Sequence, residues 1–255
     1  MAFNTLAFEK YNSIGALTLN RPQRLNALSL ESYQELEQVL SQVESDPEVK
    51  VVVLTGAGRA FCTGDDMDIY QGASVAEARQ LMKRIMTPYF QLERLDKPTI
   101  AAVNGYALGS CCELALACDV IIASEDASFG LPEAKVGLSS GYALLRLPQV
   151  IGYKRARRMF LTGESITAKE AREIGMVHKV VPRSELQVAV EEEARKLMAV
   201  APLSSTLIKG FLSRYAGSDE VEFISQMLAI QMSSQDSVEG YRAFIEKRAP
   251  RFQGK

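Results

Sequence analysis

Residues 97–124 read KPTIAAVNGYALGSCCELALACDVIIAS. Within this stretch, Pro98–Val103 is an uninterrupted apolar run of strand length, and the glycines that follow it turn the chain. Gly109–Ala117 is short and almost wholly apolar, which predicts a buried helix, and Asp119–Ala123 returns to a strand. Strands that are apolar along their whole length are typical of parallel sheets with both faces covered. The stretch therefore predicts a strand–helix–strand unit at the centre of an α/β domain.

The chain on both sides of this unit repeats the alternation. Apolar runs and helical spacing predict two strands within 3–20, strands at 50–55 and 177–181, and helices at about 30–46, 75–95 and 168–175. Capping boxes are expected to start three helices, at Ser74 with Glu77, Thr167 with Glu170, and Ser184 with Gln187. Beyond Pro182 only helices are predicted, at about 185–199, 203–215, 220–233 and 237–248. We therefore expect an α/β core of repeated strand–strand–helix units over 1–183 and an all-helical region over 184–255.

The composition excludes several classes of function. Hydrophobic residues make up 47% of the 255 residues, charged residues 24%, and the formal net charge is −2, which is ordinary for a globular protein. Such a charge disfavours nucleic acid as a partner. No apolar run reaches the roughly 20 residues of a membrane span, and no secretory leader is evident. We expect a cytoplasmic protein without a membrane partner.

The rare residues exclude the commonest metal chemistry. The chain has one histidine, His178, and four cysteines, at 62, 111, 112 and 118. Their spacing matches no zinc motif, so no metal site is expected. His178 precedes an apolar strand, which favours a structural role. Cys111 and Cys112 are not expected to bridge each other, and their apolar stretch is typical of small buried residues in a reducing compartment.

A glycine-rich loop from Gly56 to Asp66 follows the strand at 50–55. It does not fit a dinucleotide motif, because Phe61 stands where glycine is needed, and it lacks a P-loop. The loop is either an ordinary turn or a place where Gly64 directs the N–H of Asp65 into a cleft.

The helix that begins near Ser110 offers further backbone donors. Its first N–H groups have no partner within the helix and lie at the positive end of the helix dipole, so they favour an anion. Glu113 lies one turn along on the same face, either as a capping carboxylate or as a functional one. Glu133, which follows a rigid proline, is either an exposed loop residue or a second functional carboxylate.

Five collinear stretches resemble the enoyl-CoA hydratase/isomerase family, also called the crotonase family. They are LNRPQRLNAL at 19–28, VVVLTGAGRAFCTGDDM at 51–67, the stretch at 97–124, ASFGLPEAKVGL at 127–138 and LTGESITAKEAREIGMVHKVVP at 161–182. The resemblance implies a crotonase-like spiral of ββα units with a helical C-terminal trimerisation region. It also implies homotrimers or hexamers (dimers of trimers), and an acyl-CoA thioester substrate that brings CoA with it, with no separate cofactor.

Carried over position by position, the resemblance implies that the backbone N–H groups of Asp65 and Ser110 form an oxyanion hole. The family's hydratases commonly have Ala and Gly there, and the Ser110 side chain is therefore expected to be largely dispensable. Glu113 and Glu133 match the two hydratase glutamates, and Gly141 matches a glycine that lines the water site. The positions that match CoA-binding residues are Arg24, Leu25, Ala27, Gly64, Asp66, Met67 and Gly109.

The acyl pocket is less well matched. The segment 140–146 is apparently one residue shorter than is usual, and the bulky Tyr142 is expected to reshape the water and acyl site. Met82, Ile85 and Met86, on the helix at 75–95, are either further pocket residues or plain core.

These residue types favour an enoyl-CoA hydratase. Two fixed N–H donors stabilise the enolate-like charge on the thioester oxygen, and two carboxyl groups, one protonated and one ionised, activate water and protonate Cα. The alternatives are an enoyl-CoA isomerase, which needs Glu133 but not Glu113, a thioester hydrolase, and a non-catalytic RNA-binding homologue.

Overall fold

The computed structural model describes residues 3–70, 74–213, 218–251 and 253. Its strands are β1 (Leu6–Tyr11), β2 (Ile14–Leu19), β3 (Val51–Gly56), β4 (Thr99–Val103), β5 (Tyr106–Leu108), β6 (Val120–Ser124), β7 (Ser128–Gly130), β8 (Ile166–Thr167) and β9 (Lys179–Val181). Its α-helices are α1 (Leu30–Ser45), α2 (Val75–Arg94), α3 (Ser110–Leu116), α4 (Tyr142–Ile151), α5 (Tyr153–Thr162), α6 (Ala168–Glu173), α7 (Leu186–Met198), α8 (Pro202–Leu212), α9 (Ser218–Met232) and α10 (Gln235–Ile245). None of the described helices combines the length and the apolar composition that a bilayer crossing requires.

A six-stranded sheet forms the centre of the fold. Its order is β1-β2-β3-β4-β6-β9; β1 and β2 are antiparallel, and all later neighbours are parallel. β3 and β4 are buried almost throughout, as expected for parallel strands that are covered on both faces. The strands and helices predicted from apolar periodicity before residue 140 are confirmed.

A second sheet of three short strands, β5-β7-β8, was not predicted from the sequence. β5 and β7 are parallel, with Leu108 opposite Gly130. β5 leads into α3, and β7 leads into a 3-10 turn over Pro132–Val136. Because parallel strands end at the same edge, this pairing brings the start of α3 and the turn that carries Glu133 side by side.

The helices after residue 182 are confirmed, and two of them complete the core. α7 buries Leu186, Ala189 and Val190 against strands of the large sheet. α9 packs against α2 and contributes Leu228 and Met232 to the main hydrophobic cluster.

Two of the three predicted capping boxes are present, at Ser74 with Glu77 and at Thr167 with Glu170. The third prediction is wrong. Residues Arg183–Glu185 form a 3-10 turn, and α7 begins after Glu185 without a side-chain cap. His178 has a structural role, because its Nδ1 accepts the N–H of Ile121 at 3.0 Å.

An ion pair with a buried lysine anchors α8 to the sheet. Lys209 is only 8% exposed, and it donates to Asp119 and to the carbonyl of Lys97. The same Asp119 oxygen accepts the N–H of Thr99 at 2.7 Å and its hydroxyl at 2.8 Å. One carboxylate thus holds the start of β4 and a helix that lies far along the chain.

We predict that Asp119→Ala destabilises the fold by about 2 kcal/mol, because it leaves the buried Lys209 ammonium and the Thr99 N–H without their acceptor, while the exposure of Asp119 lets water replace part of the loss. Urea unfolding would measure the loss. Glu48→Ala is the matched control: it also removes a lysine-paired carboxylate, but the Glu48 side chain is 75% exposed, so the change should stay within about 0.5 kcal/mol. Equal losses in the two variants would contradict the assignment.

Candidate active site

Glu113 and Glu133 converge on one small cavity of about 30 Å³. α3 carries Glu113, and the 3-10 turn after β7 carries Glu133. The rest of the lining is polar at the loops and apolar on the helices α2 and α9, and consists of Asp65, Tyr70, Met82, Ile85, Met86, Ser110, Leu138, Ser139, Ser140, Gly141, Leu228 and Met232. The apolar wall excludes water from the carboxyl groups, except where the cavity opens.

Two backbone amides fix one oxygen of Glu113. The N–H groups of Gly141 and Ala143 both donate to Glu113 Oε1, each at 2.8 Å. They belong to the N-terminal end of α4, which favours a negative charge. Burial and the neighbouring Glu133 carboxyl raise the pKa of Glu113 well above its ordinary value, while the two amides oppose this shift.

Glu133 lies beside the turn between β5 and α3. Its Oε2 accepts the hydroxyl of Ser140 at 3.0 Å. A methyl group placed on Gly109 would lie 3.4 Å from Glu133 Oε1. Burial raises the pKa of Glu133 to about 7. Because burial and mutual repulsion oppose two negative charges in one cavity, the pair holds a proton near neutral pH.

Glycines with positive φ precede the two predicted oxyanion donors, and both donor residues line the cavity. Gly64 has φ +102° and Gly109 has φ +55°, values that favour glycine, and the residues after them are Asp65 and Ser110. Among the described residues, no acceptor pairs with the N–H of Asp65 or of Ser110. The flanking groups are paired, because Leu28 N–H donates to Gly64 O and Asp66 N–H to Leu28 O. The arrangement leaves both predicted oxyanion donors free.

The Asp65 side chain joins a cluster of hydroxyl groups that the sequence did not reveal. Its Oδ1 accepts the Tyr33 hydroxyl at 2.5 Å, and its Oδ2 accepts the hydroxyls of Ser110, at 2.5 Å, and Tyr70. The Tyr33 hydroxyl also lies 2.8 Å from that of Tyr89. The expectation that the Ser110 side chain is dispensable overlooked this bond.

Gly141 and Tyr142 occupy different places. Gly141 lines the cavity, and a Cβ there would lie 2.8 Å from Met86 Sδ. Tyr142 is not among the lining residues; it is 1% exposed and packs against Tyr89 and Phe90, with ring centroids at 5.7 and 5.3 Å. As the first residue of α4, it points into the core behind the cavity.

The residues expected to contact CoA lie on two adjoining loops. Arg24 is exposed, and Leu25 is partly buried with φ +51°. Arg21, which the sequence did not single out, donates to the Ala27 carbonyl at 2.6 Å and to the Asp66 carboxylate at 3.1 Å. It ties the loop before α1 to the loop that carries Asp65.

Met67 begins the 3-10 turn after Asp66 and lines a neighbouring cavity of about 600 Å³. The two cavities share Tyr70, Leu138 and Met232. The described residues contain no cluster of His, Cys, Asp or Glu that could hold a metal ion.

The cysteines differ from expectation. Cys62 and Cys111 form a disulfide with their Cα atoms 5.4 Å apart, whereas Cys112 and Cys118 are free and buried. Cys111 and Cys112 do not bridge each other, as predicted, whereas the disulfide between Cys111 and Cys62 was not predicted. Cys62 lies beside the start of α3 because it pairs with β5, its N–H donating to Tyr106 O.

A family model described as enoyl-CoA hydratase/isomerase matches residues 9–255. The chain belongs to the enoyl-CoA hydratase/isomerase family. It is 38% identical to the short-chain-enoyl-CoA hydratase of Clostridium acetobutylicum, over 97% of both chains. It is 39% identical to the (E)-benzylidenesuccinyl-CoA hydratase of Thauera aromatica, over 98% of this chain and 99% of that protein.

Solved structures agree with this assignment. An enoyl-CoA hydratase from Mycobacterium avium subsp. paratuberculosis superposes with a TM-score of 0.87 at 30% identity, covering 99% of this chain and 100% of that chain. The predicted crotonase-like fold of the chain is confirmed.

We predict that Gly109→Ala lowers kcat at least tenfold. The new methyl group would strain a backbone at φ +55° in the turn that leads to Ser110 and lies beside Glu133 Oε1, and a shift of this turn would move groups at the reacting centre, where small displacements are costly. Gly152→Ala is the matched control, because Gly152 has φ +83° but nothing within 4 Å of the added methyl group. It should lower the melting temperature by a similar amount and leave kcat unchanged; equal kcat losses would argue against this geometry.

Proposed function

We propose that the chain adds water reversibly across the 2,3 double bond of an α,β-unsaturated acyl-CoA thioester, with Glu113 and Glu133 as the proton-transferring groups. The observation that carries the proposal is the meeting of two buried carboxyl groups with two unpaired backbone amides at one cavity. Full-length relatives named as hydratases support a hydro-lyase.

The hydrogen bonds assign the shared proton. Glu113 Oε1 accepts two amides from the start of α4, which stabilise its ionised form. Glu133 has one hydroxyl partner, so hydrogen bonds stabilise its ionised form less than that of Glu113, and burial raises the pKa of both groups, so the pair shares one proton near neutral pH. Glu113 is therefore the general base and Glu133 the general acid of the hydration direction.

The reaction follows from these positions. Glu113 removes a proton from water while the water oxygen bonds to Cβ, and the electron pair of the double bond moves to the thioester carbonyl oxygen. The amides of Asp65 and Ser110 donate to that oxygen, which is most effective where water is excluded. Glu133 then protonates Cα, and the reverse sequence dehydrates a 3-hydroxyacyl-CoA.

The proposal extends to partners and location. The CoA enters with the substrate, no separate cofactor takes part, and the enzyme acts in the cytoplasm as a homotrimer or hexamer. The apolar face of α8 supports self-association, because Leu203, Leu207 and Phe211 are 72%, 64% and 61% exposed. Such a surface is typical of a protein–protein interface.

We predict that Glu113→Gln and Glu133→Gln each lower hydration of crotonyl-CoA by at least 10²-fold, because each removes one of the two proton-transferring groups. Loss of absorbance of the conjugated thioester measures the rate. Binding of butyryl-CoA, which has no double bond to hydrate, should remain within twofold in both variants.

The same variants separate the hydratase from the isomerase. An isomerase needs a base at Glu133 but none at Glu113. Full activity of Glu113→Gln in moving a 3,4 double bond to the 2,3 position, with no hydration by the wild type, would overturn the proposal.

A further inference from the structure

A third carboxylate, Asp65, lies at the cavity beside the two glutamates. Three elements converge on it: Tyr33 comes from α1, Tyr70 from the 3-10 turn over Met67–Tyr70, and Ser110 from the first turn of α3. Burial raises the pKa of Asp65, while the three hydroxyl groups oppose that shift.

The three hydroxyls account for the carboxylate without a substrate group. A carboxylate offers about four lone-pair sites, and the three hydroxyl donors occupy most of them. The bonds at 2.5 Å to Tyr33 and Ser110 have the short length of hydroxyl–carboxylate bonds. The hydrogen bonds of the Asp65 carboxylate are therefore made within the protein rather than to a ligand.

The bond between Asp65 and Ser110 joins the two residues whose amides face the cavity. Gly64 and Gly109, which precede them, are also neighbours: a methyl group on Gly109 would lie 3.7 Å from Gly64 Cα. Both loops turn at glycines with positive φ, which on their own permit many backbone conformations. The side-chain bond supplies a constraint that the glycines do not.

We propose that the Asp65 carboxylate is a positioning residue, which fixes the distance between the two oxyanion donors through the Ser110 hydroxyl. The proposal rests on the proposed function, because it assigns the amides of Asp65 and Ser110 to the thioester oxygen. Ala and Gly, which are usual at these two positions in the family, have no side-chain group that could form this bond. In this chain the Asp65–Ser110 bond therefore fixes the spacing of the two amides.

The test compares two probes in the wild type, Asp65→Ala, Ser110→Ala and the double variant. Acetoacetyl-CoA forms an enolate with negative charge on the thioester oxygen, whereas butyryl-CoA stays neutral. Calorimetry measures the dissociation constants of both. We expect each single variant to bind acetoacetyl-CoA about tenfold more weakly and butyryl-CoA within twofold, with kcat lowered and KM for crotonyl-CoA little changed.

The double variant tests whether the two side chains act as one unit. Because the hydroxyl acts through the carboxylate, the double variant should lose no more than Asp65→Ala alone. Losses that multiply to about a hundredfold would overturn the proposal. Equal weakening of both probes would overturn it too, because it would show a general loss of the binding site.

Glu35→Gln is the matched control for a buried carboxylate. Glu35 is 8% exposed and accepts three bonds, from the N–H of Asn4, the N–H of Thr5 and the Thr5 hydroxyl. It lies outside the cavity, so its variant should lower the melting temperature but leave the ratio of the two dissociation constants unchanged. If Asp65→Ala does not fold, Ser110→Ala carries the test through the ratio of the two dissociation constants, since it removes the hydroxyl that joins Ser110 to Asp65, and Tyr33→Phe, which keeps that bond, is its control.

The outcomes separate this proposal from the proposed function. If the wild type binds acetoacetyl-CoA more tightly than butyryl-CoA but hydrates no enoyl-CoA, the hydratase is refuted. The effect of Asp65→Ala on the ratio of the two dissociation constants then decides the role of the Asp65–Ser110 bond. If the wild type hydrates crotonyl-CoA and Asp65→Ala leaves the ratio of the two dissociation constants unchanged, the role of the Asp65–Ser110 bond is refuted while the proposed function stands.

Discussion

The hydrogen bonds from Gly141 and Ala143 to Glu113 Oε1 hold a carboxylate that is 4% exposed and therefore shielded from bulk solvent. A buried charge of this kind is costly unless hydrogen bonds replace its hydration. The amides at the start of α4 provide that replacement, and they also require α3 and α4 to meet in one relative position. The acid–base chemistry, the water site and the packing of Tyr142 behind the cavity all depend on this contact.

Three carboxyl groups in a small cavity would repel one another if all were ionised. The structure gives each a different environment: two amides for Glu113, one hydroxyl for Glu133, and three hydroxyls for Asp65. Separate environments push carboxyl groups towards separate roles. The two amides favour the role of base for Glu113, the three hydroxyls hold the Asp65 carboxyl within the protein, and Glu133 supplies the proton that Cα receives.

The sequence predicted the features that depend on local pattern. β3 and β4 are continuous apolar runs, and the caps at Ser74 and Thr167 follow a short motif. β5 and β7 have three residues each and form only because they pair with each other across a long separation in sequence. No local sequence pattern therefore predicts them. The helices α4 and α5 were not predicted, and α4 contains Pro148, which usually ends a helix. The third capping box failed because the 3-10 turn at 183–185 occupies its place.

The site was predicted in part for the same reason. The family motifs pointed to Asp65, Ser110, Glu113, Glu133 and Gly141, and the structure brings these five to one cavity, while their roles stay predictions. No motif pointed to the Tyr33 and Tyr70 hydroxyls, which reach Asp65 from separate elements.

The pH dependence of kcat/KM for crotonyl-CoA hydration tests the central claim most directly, since this ratio reports the free enzyme. Only a pair that holds one proton contains both a base and an acid. Burial raises the pKa of Glu133 to about 7 and the pKa of Glu113 well above its ordinary value, so the pair passes from two protons to one near pH 7 and loses the last proton at higher pH. We therefore expect kcat/KM to rise by about tenfold per pH unit up to about pH 7 and to fall again where the pair becomes fully ionised. Dehydration needs the same single proton on the pair, so it should follow the same profile. A value of kcat/KM that stays constant from about pH 5 to 7, or that falls as the pH rises through about 7, would contradict this mechanism.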